Sequence, residues 1–468
     1  MERKIAEPGL KPELRKKTFN ILLFVAAFAG NLLILSSGRS QGIKHSYGYL
    51  ILTASCFLAL YFFLLQFRRD VLLVTRRMFF ILLGLTGFVA LTRIVLMQAG
   101  DDLLLLIPFA IIPIVIRTFY DARLAVILLV ITIVLAGLMV DNPFEFVVMN
   151  FVAGLSAVFT LRTAARRGRL FFTAFMVVVT LIVIRTGFIL KDAGSLPPDF
   201  GYEMLLFTCN GILVLVIYPV IFLFEQNFLL LSEATLTELT DTNHPLLRKL
   251  ADEAPGSFQH SLQVANLAEE AARAIGANFL LVRAGSLYHD IGKLGNPRFF
   301  VENQTDENSP HENLDPRESA KIIISHVRNG VNLAKNYKIP VQIIDFIKMH
   351  HGTTMTYFFF KKFLDRNPGT LNIEEAEKDF KYHGPKPFSK ETAVVMMADA
   401  VEASSRTLQN YSEENIGDLV ERIVYLQEQD GQFSDVPLTY KDMSDIRDVL
   451  KKRLATIYHN RIVYPERH

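Results

Sequence analysis

The apolar residues of this chain are gathered into eight runs before Phe228, and a segment of that character has no stable place in water. The runs are Phe19 to Ser37, Tyr49 to Phe67, Met78 to Met97, Leu103 to Ile116, Leu124 to Val140, Phe146 to Leu161, Leu170 to Leu190 and Met204 to Phe224. Several approach the roughly 20 residues that a helix needs to cross a bilayer. The first half of the chain is therefore read as a polytopic helical membrane domain, with the lipid bilayer as its partner. The fourth run is short and carries Pro108 and Pro113, which predicts a kinked or partly re-entrant segment. The expected count is about eight helices, or seven if that segment does not cross.

Basic residues sort to alternate ends of these runs. Lys11, Arg15, Lys16 and Lys17 precede the first, Arg68, Arg69, Arg76 and Arg77 follow the second, Arg117 and Arg123 follow the fourth, and Arg162, Arg166, Arg167 and Arg169 follow the sixth. The alternate loops carry Asp101, Asp102, Asp141, Glu145, Asp192, Asp199 and Glu203 with fewer basic residues. Both termini are then expected to be cytoplasmic. The first run lacks a small-residue cleavage pattern and is read as an uncleaved helix. Arg93 and Arg185 lie inside apolar runs near their outer ends, where snorkelling to the interface is the expected account. Cys56 and Cys209 fall within apolar runs, so neither a disulfide framework nor a thiolate metal site is expected.

After Phe228 the pattern changes to amphipathic helices punctuated by Pro, Gly and Asn, with no sustained strand-like alternation. The fold class expected for the whole chain is all-α. It divides into a cytoplasmic segment at 1–18, the transmembrane domain at 19–227, a juxtamembrane linker helix at 228–255 broken near Asn243 to Pro245, and a cytoplasmic helical domain at 256–468. The linker reads as a mechanical coupler. The stretch from Leu364 to Glu391, rich in charge and Pro, reads as a mobile flap or a solvated loop. The tail from Ile416 to Ile457 could pack in cis or pair in a homodimer. A net charge of +2 gives no reason to expect a nucleic-acid polymer as partner.

The chemistry is concentrated in the second half. Six of the eleven histidines fall between positions 260 and 351, and His289 is followed directly by Asp290 in YHDIGK. His260, His289, Asp290, His326, His350, His351 and Asp399 are the side chains that suit first-row cations such as iron, manganese or zinc. Seven such groups exceed what one cation needs, and two cations a few ångströms apart normally share a carboxylate, for which Asp290 is the candidate. Adjacent His289 and Asp290 would diverge by about 100° on a helix, so that one serves a single cation and the other reaches between two. Gly292 would permit a helix end or a close backbone approach. His326, His350 and His351 are read as emerging at helix ends, and Asp399 as lying within a helix. Such a centre fits hydrolysis of a phosphodiester, whose anionic charge resists a nucleophile until cations offset it. Lys293 would then bind a non-bridging oxygen or assist the leaving alkoxide, or else form a surface ion pair. Asn303 and His311 are candidates for substrate contact or for turn formation and capping. Tyr357, followed by Phe358, Phe359 and Phe360, is a candidate stacking surface for a base, with core packing the alternative.

The segments APGSFQHSLQVANLAEEAA, YHDIGKLGNPRFFVENQ, SPHENLDPRESAKIIISHV, MHHGTT and VMMADAVEASSRT, set behind a multi-helix membrane region, resemble the bacterial seven-transmembrane-receptor HD family. The closing IYHNRIVYPE is also similar. The resemblance implies an HD-domain metallohydrolase of the PgpH type in a bacterial inner or plasma membrane. It implies two divalent ions, iron or manganese, held by the seven residues above. The implied activity is hydrolysis of cyclic di-AMP to pApA by a metal-bridging hydroxide, lowering the second messenger. The alternatives are another cyclic dinucleotide, or a nucleotide-binding membrane receptor with little hydrolysis. The HHGTT turn lacks the GYP motif of HD enzymes acting on cyclic di-GMP. Two departures stand out. Only SGRSQGIKHSYG separates the first two apolar runs, where family members usually carry a large extracellular domain, so sensing by such a domain is not expected. Gln259 stands where the family often has His.

Overall fold

A computed structural model describes residues 10–37, 43–161, 167–228, 230–304, 309–369 and 372–458. Arg162, Arg166, most of the closing IYHNRIVYPE and part of the SGRSQGIKHSYG connection lie outside them. Among the described residues there is no strand, only one antiparallel bridge between Met355 and Lys381. The chain separates into two units, 1–234 and 235–468.

The first unit contains α1 (Leu10–Ser36), α2 (Ile43–Phe67), α3 (Arg69–Leu73), α4 (Thr75–Gln98), α5 (Ile111–Phe119), α6 (Ala122–Gly137), α7 (Pro143–Thr160), α8 (Arg167–Ala193) and α9 (Phe200–Phe228). Among the described residues seven segments are long and apolar enough to cross a membrane, and the chain is a multi-pass membrane protein. The fifth run forms α6, only 16 residues long, or about 24 Å at 1.5 Å per residue. Its Leu124, Leu129, Ile133 and Leu135 are fully buried, so this helix is sheathed by its neighbours. The fourth run is broken as its prolines require. A short 3₁₀ turn at Asp102–Leu106 gives way at Pro108 before α5 begins. The carbonyls freed there are satisfied in trans: Asn210 on α9 donates to Leu105 O (2.9 Å) and Ile107 O (3.1 Å), as buried irregular backbone in a membrane demands.

Arg185 does not snorkel. Its guanidinium grips Glu203 through Nε (2.8 Å) and Nη2 (2.6 Å), and Nη1 meets Glu145. This three-residue ion cluster ties α7, α8 and α9 together. The snorkelling account missed it because Glu145 and Glu203 were read only as loop charges.

The second unit contains α10 (Glu233–Leu239, which begins just before the division), α11 (Pro245–Glu253), α12 (Pro255–Ala274), α13 (Phe279–Tyr288), α14 (Pro316–Asn336), α15 (Val341–Met349), α16 (Tyr357–Arg366), α17 (Ile373–Glu377), α18 (Lys390–Ser405), α19 (Glu413–Gln429) and α20 (Tyr440–Tyr458). The chain breaks between α10 and α11 at the predicted place, where His244 caps α11 by accepting from Leu246 N (3.3 Å). Leu246, Leu247 and Leu250 are fully buried, and α11 packs on α12. The core joins Val264, Leu267 and Ala271 of α12 to Val395, Ala398 and Val401 of α18, with Val420 of α19 and Ile446 of α20 closing it. Tail residues of α19 and α20 therefore pack in cis.

The stretch from Leu364 to Glu391 is solvent-exposed at 365–369 and 372–375, as a solvated segment would be, but its later part is packed. Phe380 is fully buried, and Thr356 N and Tyr382 N bond to Phe380 O and Thr354 O, both at 2.8 Å. Its few aromatic residues fix it, and a composition dominated by charge and Pro concealed them.

Candidate metal centre

The seven predicted ligands come from five segments. His260 lies on α12, His289 caps the end of α13 with Asp290 next to it, His326 lies on α14, His350 caps α15 with His351 following, and Asp399 lies on α18. Two readings of local geometry change. The helix α13 stops at Tyr288, and Asp290 has left the α region (φ −107°, ψ 11°) to start a 3₁₀ turn at Ile291–Gly295. The divergence of His289 and Asp290 is thus made by a helix end, not by helical rotation. His326 sits mid-helix, because α14 runs ten residues past it to Asn336. Gly292 is required by close approach. A Cβ there would lie 1.8 Å from His326 O, so glycine alone lets α14 close against the turn carrying Asp290.

All seven converge, and all but His351 are buried. The two oxygens of Asp290 divide them. Oδ2 faces His289 Nε2 (3.2 Å) and His260 Nε2 (3.6 Å), while Oδ1 faces His326 Nε2 (3.4 Å) and His350 Nε2 (3.6 Å). Asp399 Oδ1 joins the first side, 2.9 Å from His260 Nε2 and 3.6 Å from His289 Nε2. His351 stands with His326 and His350 on the second.

These groups are oriented for a cation. His289, His326 and His350 direct Nδ1 to the carbonyls of Ser286 (2.7 Å), Ile323 (2.6 Å) and Ile347 (3.0 Å). That assigns the proton to Nδ1 and aims the Nε2 lone pair inward. The result leaves His326 Nε2 and His350 Nε2 facing each other at 3.0 Å, two lone pairs that a cation would reconcile. His289 Nε2 and Asp290 Oδ1 are buried with no hydrogen-bond partner, a costly state unless a ligand is bound there. The donor chemistry fits a divalent metal on each side of Asp290.

Protonation follows the same division. Burial holds His326 below the ordinary imidazole range, His350 far below it and His351 down to about 3, with neighbouring histidines adding to the effect. These three are neutral, as ligands must be. Burial opposes ionisation of Asp290, yet His289 and Lys293 hold its carboxyl well below the usual range. Burial likewise opposes protonation of His289, but Asp290 and Asp399 outweigh it and push that imidazole up to about 10. The field that would keep a proton on His289 is one that attracts a cation.

Lys293 is a buried partner of the centre. Its Nζ meets Asp290 Oδ2 at 2.7 Å and Glu302 Oε1 at 2.6 Å, which outweigh burial and raise its pKa. Beside it opens a cavity of about 530 Å³, bounded among others by His351, Tyr357, Met396, Glu402, Arg406 and Leu426. Tyr357 stands at this wall, 68% exposed, while Phe360 turns into the core. Asn303 and His311 are placed elsewhere. Asn303 Oδ1 accepts from Ser257 N (3.0 Å) at the start of α12. The His311 ring meets Phe299 O (2.9 Å) and packs on Phe359. Sequence reasoning missed Glu302, Glu402, Arg406 and Tyr382, whose ring stacks on His351 at 4.2 Å. Only Glu402 had a local signal, lying three residues beyond Asp399 on one helix face.

Residues 43–232 match a family described as a 7TM receptor with intracellular HD hydrolase, and residues 257–404 match the HD domain. The cyclic-di-AMP phosphodiesterase PgpH of Bacillus subtilis (strain 168) is 36% identical over 372 residues, covering 77% of this chain and 51% of the relative. The PgpH of Listeria monocytogenes is 36% identical over 370 residues, covering 77% and 50%. The chain thus spans about half the length of the curated relatives it matches. The crystal structure of the L. monocytogenes PgpH HD domain in complex with cyclic-di-AMP is 43% identical, covering 47% of this chain and all of that one, with a TM-score of 0.44.

Proposed function

The chain belongs to the family of seven-transmembrane receptors with an intracellular HD hydrolase, and from that premise we propose that it is a membrane-anchored, metal-dependent phosphodiesterase opening cyclic di-AMP to pApA. The observation that carries this reading is Asp290, whose two oxygens each face a separate pair of histidines. A carboxylate so divided suits two divalent ions, iron or manganese. His260, His289 and Asp399 would hold one, and His326, His350 and His351 the other. The side marked by Arg68, Arg69, Arg117 and Arg123 is read as cytoplasmic, and α6 counted as an eighth crossing returns the chain to that side for the HD domain, where the second messenger is met.

Bound there, the two cations would offset the charge of the phosphodiester and lower the pKa of an attacking water. The rest of the mechanism belongs to the chain. Asp290 and Asp399 set the anionic field, and His326, His350 and His351 present neutral nitrogens without competing for protons. Lys293, steadied by Glu302, lies at the cavity edge, where its ammonium can neutralise charge that grows on a phosphoryl oxygen or the leaving alkoxide. Tyr357 offers an exposed ring for stacking on a base. One water is added and one P–O3′ bond breaks, leaving a 5′-phosphate and a 3′-hydroxyl. The second phosphodiester is retained.

Product chromatography after incubation with cyclic di-AMP and manganese or ferrous iron tests the proposal. Metal-dependent pApA is expected from the wild type, and Asp290→Ala should reduce it by at least ~100-fold, more than loss of a residue behind a ligand. Intact cyclic di-AMP with verified metal loading would overturn the substrate assignment, and turnover of cyclic di-GMP instead would redirect it.

A further inference from the structure

The histidines around Asp290 fix their rings in two different ways. His289, His326 and His350 each use a backbone carbonyl of the preceding turn. His260 has a carboxylate in that role: its Nδ1 meets Oε2 of Glu402, 142 residues away in sequence. Glu402 is 3% exposed, and its other oxygen, Oε1, accepts from Arg406 Nη2 (2.6 Å) and Nε (3.0 Å). Both oxygens of a buried carboxylate are thus committed, one to an imidazole of the centre and one to a guanidinium at the cavity wall. Helical spacing explains the placement. Asp399 and Glu402 lie three residues apart on α18, so both project from one face toward His260.

A carboxylate behind an imidazole does what a carbonyl does and something more. It fixes the tautomer, and its full charge makes the inward nitrogen more basic, an effect worth 10–100-fold in metal affinity. The side of the centre containing His260, His289 and Asp399 has that support. The side containing His326, His350 and His351 has the shared Asp290 and, 3.9 Å from His351 Nδ1, the second oxygen of Asp399. Its His326 and His350 are backed by carbonyls and not by a carboxylate. We propose that Glu402 is a positioning residue for His260 and makes that side the tighter of two cation sites. The inference rests on the metal-centre reading above and extends it by ranking the sites.

The test uses the full-length chain in detergent, loaded with Mn²⁺ and equilibrated against graded chelator, with manganese retained per chain as the readout. The wild type should release metal in two steps, and His326→Ala, which strips the second side, should remove the looser one. Glu402→Gln, close in shape, should weaken the tight step by ~10–100-fold and move the loose step less than threefold. Arg406→Ala keeps Glu402 and should move the tight step less than threefold, which separates the bond to His260 from the packing of an ion pair. Two equal sites in the wild type, an unmoved tight step in Glu402→Gln, both steps weakening together, or the same loss in Arg406→Ala would each overturn the inference. A wild type that retains no manganese would instead sink the metal centre and the proposed function with it.

Discussion

The two units put their strongest buried polar groups to different uses. In the membrane unit several buried donors close on the protein itself, although the amide oxygens of Asn31 and Asn210 stay unpaired. Asn210 takes up the carbonyls freed at Pro108, Asn31 links Ala27 O (2.9 Å) and Thr86 Oγ1 (2.8 Å), and Arg185 is held by two glutamates. In the second unit the strongest groups converge and are left open inward, with His289 Nε2 and Asp290 Oδ1 unsatisfied. The difference teaches what each unit is built to hold. Lipid offers no hydrogen bonds, so polar groups there are spent on holding backbone in place. The helical unit keeps binding capacity in reserve for something that enters it.

The comparison can be broken most severely at Arg185. Arg185→Leu leaves Glu145 and Glu203 close together without their cation. Thermal unfolding in detergent should show roughly 3 kcal/mol of lost stability, at the low end for a broken buried pair because the side chains retain some exposure. Manganese retention by the second unit should persist, and a stable variant would mean that the cluster is incidental. Next is Glu302→Gln, which removes the anion steadying Lys293. A fall in kcat of ~10–100-fold with both metals retained is expected, and an unchanged kcat would detach Lys293 from the reaction. The smallest effect belongs to Asn210→Leu. Losing its two bonds should cost about 0.6–1.7 kcal/mol, the range for interhelical hydrogen bonds in membranes. A neutral result would show that the break at Pro108 finds other donors.

Legibility in the sequence followed the range of the determining interaction. The apolar runs were readable because burial in lipid acts on each segment alone, and the kink followed from Pro108 and Pro113. The short α6 shows where that logic stops, since a helix sheathed by neighbours need not span lipid by itself. Among the site residues, the seven ligand candidates stood out because few other roles explain so many histidines beside an HD pair. Asn303 and His311 were equally polar and equally close in sequence, yet one caps α12 and the other packs on Phe359.

What the sequence by itself determined is the inventory: which segments must leave water, and which side chains can bind a cation at neutral pH. Both are properties of individual residues and their near neighbours. What only the tertiary structure decided is the partition of that inventory. Asp290 gives one oxygen to each set of histidines, Glu302 reaches Lys293, and Glu402 reaches His260 from 142 residues away. Glu302 meets Lys293 within the turns between α13 and α14. The pairings of Asp290 and Glu402, by contrast, arise only when separate helices pack together, and no local spacing encodes contacts made across that distance.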